Sequence, residues 1–179
     1  MSEQLEHPRL TVDVGTDDHV RGPASARLTL VEYGDYECPY CGAAYPIVKE
    51  VERILGDDLR SVFRNFPLSD IHPHAFQAAE AAESAAAQGR FWEMHDRLFE
   101  NQKRLRTKDL LSHARALGLD VARIEADLDA RAYEERVRHD IRSGLRSGVN
   151  GTPTFFVNGV RHNGTYDVET LLDALRAAS

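Results

Sequence analysis

The sequence predicts an α/β fold in which a mixed central sheet, flanked by helices, is interrupted by an all-helical insertion. Three observations carry that expectation. Residues 28–66 run strand, helix, strand, an order that calls for a right-handed parallel crossover. From about His72 to Arg146 there is no convincing strand, and Ala, Glu, Arg and Leu dominate. After residue 148 a strand, an Asn-Gly turn, a short return and a final helix restore the α/β pattern.

Residues 1–27 are polar and rich in turn formers, with a short alternating strand expected at Leu10–Val14. Leu28 to Tyr33 (L-T-L-V-E-Y) is a compact β-branched and apolar run closed by Gly34-Asp35, as a buried strand should be. From Cys38 to about Leu55, Ile47, Val48, Val51, Ile54 and Leu55 recur at helical spacing, and Gly56 supplies the stop. Pro39 suits the first turn, where its missing N–H costs nothing, whereas Pro46 should kink the helix. Arg60 to Phe66 alternates up to Pro67 and reads as the second strand.

The insertion reads as five helices. They run from Pro73 to near Gly89, over Phe91–Phe99, over Leu110–Leu117 with Thr107 as cap, after a cap at Asp120, and over Tyr133–Leu145. His72 and His74 are read as helix caps, with ligand chemistry as the alternative. Trp92, with Phe91, Met94 and Phe99, is read as core between insertion and sheet. Glu134, Glu135, Arg136 and Arg138 are read as a solvated, ion-paired face. Thr154–Val157 then forms a strand, Asn158-Gly159 a hairpin turn, Val160–His162 the return, and Asp167 caps the last helix. The expected division is an N-terminal arm (1–23), a sheet domain built from 24–68 and 148–179, and the helical insertion (69–147).

Charge narrows the partners. With 22 Lys and Arg against 29 Asp and Glu, net charge −7, nucleic acid and anionic membrane are not expected as main partners. No run approaches the roughly 18–20 apolar residues of a membrane span. Met1 to Pro8 lacks the basic start and apolar core of a secretory signal. That points to the cytosol, or to the periplasm if a signal has been removed.

The two cysteines, Cys38 and Cys41, form one C-x-x-C between a strand and a helix. A bond across two intervening residues closes almost no loop and adds little stability, so the pair reads as chemical rather than structural. Cys38, at the helix start, meets unsatisfied N–H groups and the positive end of the dipole, which favour its thiolate and should keep it near the surface. Cys41, a turn further in, should be more buried and less acidic. Half of a zinc site is the competing reading. It needs about two further ligands, and none of the eight His lies at finger spacing. No metal or other cofactor is expected.

Two segments, Glu32-Tyr33-Gly34-Asp35-Tyr36-Glu37-Cys38-Pro39-Tyr40-Cys41-Gly42 and the distant Gly151-Thr152-Pro153-Thr154-Phe155-Phe156-Val157-Asn158-Gly159, flank the helical insertion. Together they resemble the DsbA-like branch of the thioredoxin superfamily. The likeness is greatest to bacterial thioredoxin-like proteins that also occur fused to sodium/proton antiporters. The resemblance implies a thioredoxin fold and a cis Pro153 facing the C-x-x-C. The Thr152 backbone would then pair with an extended substrate, and Pro153 would keep metal from the thiols. A plain turn before a strand is the alternative.

The resemblance also places a buried acid, Glu32, behind the resolving cysteine, where it could accept the proton of Cys41. A strand-end Glu facing solvent is the other reading. Pro39-Tyr40 sets the redox poise. Where strongly oxidising members carry a His within the motif, the neutral Tyr40 cannot stabilise the thiolate, which implies a weaker oxidant. Tyr36, Tyr40 and Tyr45 are candidates for a peptide-binding surface.

The implied activity is thiol–disulfide exchange with protein, peptide or low-molecular-weight thiol substrates. Cys38 is the nucleophile, Cys41 resolves, and glutathione, a thioredoxin-type reductase or an oxidase recycles the pair. Two alternatives are a glutathione- or peptide-binding module without turnover, and a redox sensor that regulates a partner such as a transporter.

Overall fold

The computed structural model describes residues 7–179. The first six residues of the expected N-terminal arm, which include most of the segment read for a leader, lie outside the described residues. Among the described residues five strands form one sheet in the order β1-β3-β2-β4-β5. These are β1 (His19–Arg21), β2 (Leu28–Gly34), β3 (Leu59–Asn65), β4 (Thr154–Val157) and β5 (Val160–Arg161). β2 runs parallel to β3 and antiparallel to β4; β1 and β5 are antiparallel edges. Helix α1 (Pro39–Leu55) makes the β2–β3 crossover. Helices α2 (Ala75–Ala86), α3 (Phe91–Glu100), α4 (Thr107–Ala116), α5 (Val121–Asp129) and α6 (Glu134–Arg146) all fall between β3 and β4, and α7 (Val168–Ala177) closes the chain.

The pleat explains the layers. β2 is buried along its whole length, so both of its faces must be covered. Leu28 and Leu30 face α1 and α7, packing with Ala44, Val51, Leu171 and Leu175. Val31 and Tyr33 point to the other face, with Val62, Phe66 and Phe156 beneath Ile141 of α6 and Leu10 and Val14 of the arm. A third apolar cluster joins Tyr36, Phe63 and both cysteines to Ala78, Ala82, Met94, Leu98, Leu110 and Ile124 of the insertion. The core beneath the cysteines is therefore continuous with the insertion.

Several local expectations change. Leu10–Val14 is not a strand. Its alternation reflects Leu10 and Val14 packing on the sheet face, with Leu10 N–H donating to the Gly159 carbonyl at 2.9 Å. The actual first strand, His19–Arg21, is short and polar and leaves no apolar signature. Thr107 is the first residue of α4 rather than its cap, and its hydroxyl donates to Gln77 Oε1 at 2.8 Å. Arg136 is not on a solvated face. It reaches Asp140 Oδ1 at 2.5 Å and Glu83 Oε2 at 3.8 Å, both acids being buried, whereas Arg138–Glu134 at 2.7 Å is exposed as read.

The other caps form where the turn chemistry puts them. Asp120 and Asp167 accept the Arg123 and Thr170 N–H groups. Asn158 and Gly159, both at positive φ, make the hairpin turn. Among the described residues no helix is long and apolar enough to cross a membrane.

Candidate active site

Cys38 is the N-cap residue of α1, with extended backbone (φ −68°, ψ 121°) and no side-chain cap bond. A sulfur accepts hydrogen bonds weakly. The first N–H groups of the helix are thus left for whatever charge the sulfur carries. Cys41 lies one turn in, fully buried, and the two residues approach to 3.8 Å. Cys38 itself is 2% exposed, not the surface residue its cap position suggested. Part of the cover is the loop before β4, where the Thr152 carbonyl accepts from the Cys38 thiol at 3.6 Å.

The turn carrying Cys38 is fastened by residues from elsewhere in the chain. The buried Asp35 carboxylate accepts from the N–H groups of Glu37 (2.7 Å) and Cys38 (3.1 Å) through Oδ1. Through Oδ2 it accepts from Leu68 N–H (2.8 Å) and His72 Nδ1 (2.7 Å). His74 Nδ1 pairs with Glu37 Oε1 at 2.8 Å. The His-Pro-His segment therefore does not cap α2 through its side chains. It bonds instead to the acidic residues beside Cys38, whose carboxylates accept from the His72 and His74 ring N–H groups, whereas the start of α2 offers only N–H donors. Gln102, from the turn after α3, donates to the carbonyls of Tyr36 (3.0 Å) and Cys38 (2.8 Å).

These contacts divide the acidity of the two thiols. Hydrogen bonding from the Cys41 thiol, helped by Thr152 and by the backbone N–H groups of Cys41 and Tyr40, outweighs burial and lowers Cys38 to about 5. Cys41 is pushed well up, by burial first, then by its bond to Cys38 and the neighbouring Glu32 charge. The two thiols differ in the sense that nucleophile and resolving group require.

Glu32 is 7% exposed, so it does not face solvent. Burial first, then the charges of Glu52 and Cys38, raises its carboxyl to about 8. Its Oε1 and the Ser61 hydroxyl have no protein partner, and both residues line a cavity of about 20 Å³ between the sheet, α1 and α3, wide enough for one water. The Thr152–Pro153 peptide is cis. Tyr40, at 67% exposure, projects into solvent beside Cys38. Tyr36 is no surface residue: it is buried against Phe63 and Phe99, with its hydroxyl bonded to His95 Nδ1 at 3.0 Å. Tyr45 is partly covered by Phe99. Among the described residues no group of three or more His, Cys, Asp or Glu is placed to hold a metal ion.

Asp35, His72 and Gln102 are the site residues that motif reading missed. Asp35 carried a signal, an acid three residues before the cap, but it read only as a strand end. Gln102 carried none.

A strand feeding a C-x-x-C at a helix start, opposite a cis-Pro loop, with five helices between β3 and β4, defines the DsbA-like class of thioredoxin folds. Comparison with known proteins agrees. Residues 15–177 match the family described as Thioredoxin, and the chain belongs to that family. A thioredoxin-like oxidoreductase from Silicibacter pomeroyi superposes with a TM-score of 0.82 at 28% identity, over 92% of this chain and 93% of that one. Oxidised BdbD from Bacillus subtilis superposes with a TM-score of 0.85 at 22% identity, over 96% of each chain, a likeness of fold. A Na(+)/H(+) antiporter, NhaA 1, from Salinispora arenicola is 51% identical over 172 residues. That match covers 94% of this chain and 26% of the antiporter, so the chain spans about a quarter of that relative's length.

Proposed function

We propose that the chain is a protein thiol–disulfide oxidoreductase working through Cys38 and Cys41. The observation that carries this reading is the placement of the pair, Cys38 at the N-cap of α1 against the cis-Pro loop and Cys41 buried one turn in, 3.8 Å away, with the Cys38 thiol pushed down and the Cys41 thiol up. In the reducing direction the Cys38 thiolate attacks a substrate disulfide. It forms a mixed disulfide and releases one substrate thiolate. Cys41 gives its proton to the Glu32 carboxylate and attacks the Cys38 sulfur. The second substrate thiolate leaves and the Cys38–Cys41 disulfide remains, so two electrons have passed from the pair to the substrate. The reverse sequence oxidises a dithiol.

The Thr152 backbone would align an extended substrate strand beside Pro153, with Pro39 and Tyr40 on the opposite rim. The insertion, 69–147, would contribute to substrate choice. Glutathione or a thioredoxin-type reductase would restore the dithiol. The antiporter relatives favour a second reading, in which the redox state of Cys38 is reported to a transporter. Insulin reduction with glutathione present separates the two, since a sensor turns over poorly.

Single-cysteine variants test the main reading. Cys41→Ala is expected to accumulate a mixed disulfide through Cys38, seen by mass spectrometry and reversed by dithiothreitol. Cys38→Ala should neither trap substrate nor turn over. Retained turnover in Cys38→Ala would refute the scheme.

A further inference from the structure

The nucleophile's turn is gripped from both sides, and one side of the grip comes from the insertion. Upstream, Cys38 N–H is held by Asp35 Oδ1 at 3.1 Å and the Asp35 carbonyl at 3.2 Å. Downstream, the Cys38 carbonyl accepts Gly42 N–H at 3.0 Å within the helix and Gln102 Nε2 at 2.8 Å from outside it. The same amide spans to the Tyr36 carbonyl at 3.0 Å. One side chain thus ties the residue two before the cap to the cap itself.

A second observation is independent of those bonds. Gly42 leaves the space that Gln102 fills: a Cβ on residue 42 would stand 2.0 Å from Gln102 Oε1 and 2.6 Å from its Cδ. The glycine that closes Cys-Pro-Tyr-Cys-Gly is the residue against which the amide rests. With the peptide groups of Cys38 spoken for, the N–H groups of Tyr40 and Cys41 stay directed at its sulfur.

We propose that Gln102 is a positioning residue for the Cys38 thiolate, seated on Gly42, through which the helical insertion sets the reactivity of the C-x-x-C. The amide presents the positive end of its dipole to the nucleophile's backbone and fixes the turn in the geometry that aims the helix N–H groups at sulfur. The role rests on the thiol-exchange reading above and adds a residue to it.

The test is the pH dependence of Cys38 alkylation by iodoacetamide in the reduced full chain, with thermal unfolding measured beside it. Gln102→Met keeps length and bulk and removes the donor; its midpoint is expected to rise by roughly half a pH unit. Gln102→Glu, which sets an acceptor against two carbonyls, should raise it further. Gly42→Ala displaces the amide and should reproduce the Gln102→Met shift, and the double variant should shift no more than either single one. A wild-type midpoint at the ordinary thiol value overturns the exchange reading itself. A low wild-type midpoint that is unchanged in folded Gln102→Met and Gln102→Glu overturns the role of Gln102 alone. Additive shifts from Gly42→Ala and Gln102→Met overturn the seating on Gly42.

Discussion

Glu32 and Cys38 titrate in opposite senses on folding, so the reduced protein carries two pH dependences that oppose each other. Folded Glu32 keeps its proton up to about pH 8, while the unfolded carboxyl releases it near 4.5. Folding takes up a proton between those values, and stability falls as pH rises. Folded Cys38 loses its proton near 5, while the unfolded thiol holds it to about 9. There stability rises with pH. Each slope reaches at most about 1.4 kcal/mol per pH unit, so these two contributions nearly cancel between pH 5 and 8, leaving the rise with pH below about 6.5 that buried His95, lowered to about 3, adds. Glu32→Gln is expected to expose the rise and Cys38→Ala the fall, read from denaturant melts at several pH values. A flat profile in both variants would contradict the assignment.

What could be read of these residues from the chain depended on how they act. Cys38 and Cys41 were legible because C-x-x-C is a spacing within one segment, and Glu32 because the family resemblance places an acid there. Asp35 and Gln102 act on backbone groups, and His72 on the Asp35 carboxylate, through contacts that only the tertiary fold makes. Tyr36 was misjudged because nothing local distinguishes a buried ring from an exposed one beside a helix start.

At the scale of elements, the long apolar β2, the hairpin and the capped helices were legible because their signals are periodic or tied to turn chemistry. β1 and the arm were not. β1 has only three residues, and the alternation of Leu10–Val14 follows the sheet face that Leu10 and Val14 cover rather than a strand of its own. Gly144 of α6 shows the same limit. It is a poor helix former by propensity, yet a Cβ there would lie 2.8 Å from the Phe66 ring and 3.0 Å from Tyr33. Gly144→Ala gains about 1 kcal/mol of helix propensity and loses about 1–3 kcal/mol to overpacking against two buried rings. The expected net is a lower unfolding midpoint in urea. An increase would mean that α6 can move off the sheet freely.

Taken whole, the molecule brings three distant parts of the chain to one sulfur. β2 and α1 supply the turn, the loop before β4 supplies Thr152, and the insertion supplies His72 and Gln102. The cluster that holds both cysteines runs on into α2, α3, α4 and α5, so the insertion and the sheet share a core at the site. The acidity of Cys38 is therefore a property of the assembled fold. Titration of thiolate absorbance in the reduced protein, native and in denaturant, tests that directly. The native protein should show one thiolate forming near pH 5, with the second cysteine silent until far above its ordinary range, and denaturant should return Cys38 to about 9. A native titration with both thiols near their ordinary value would contradict the account.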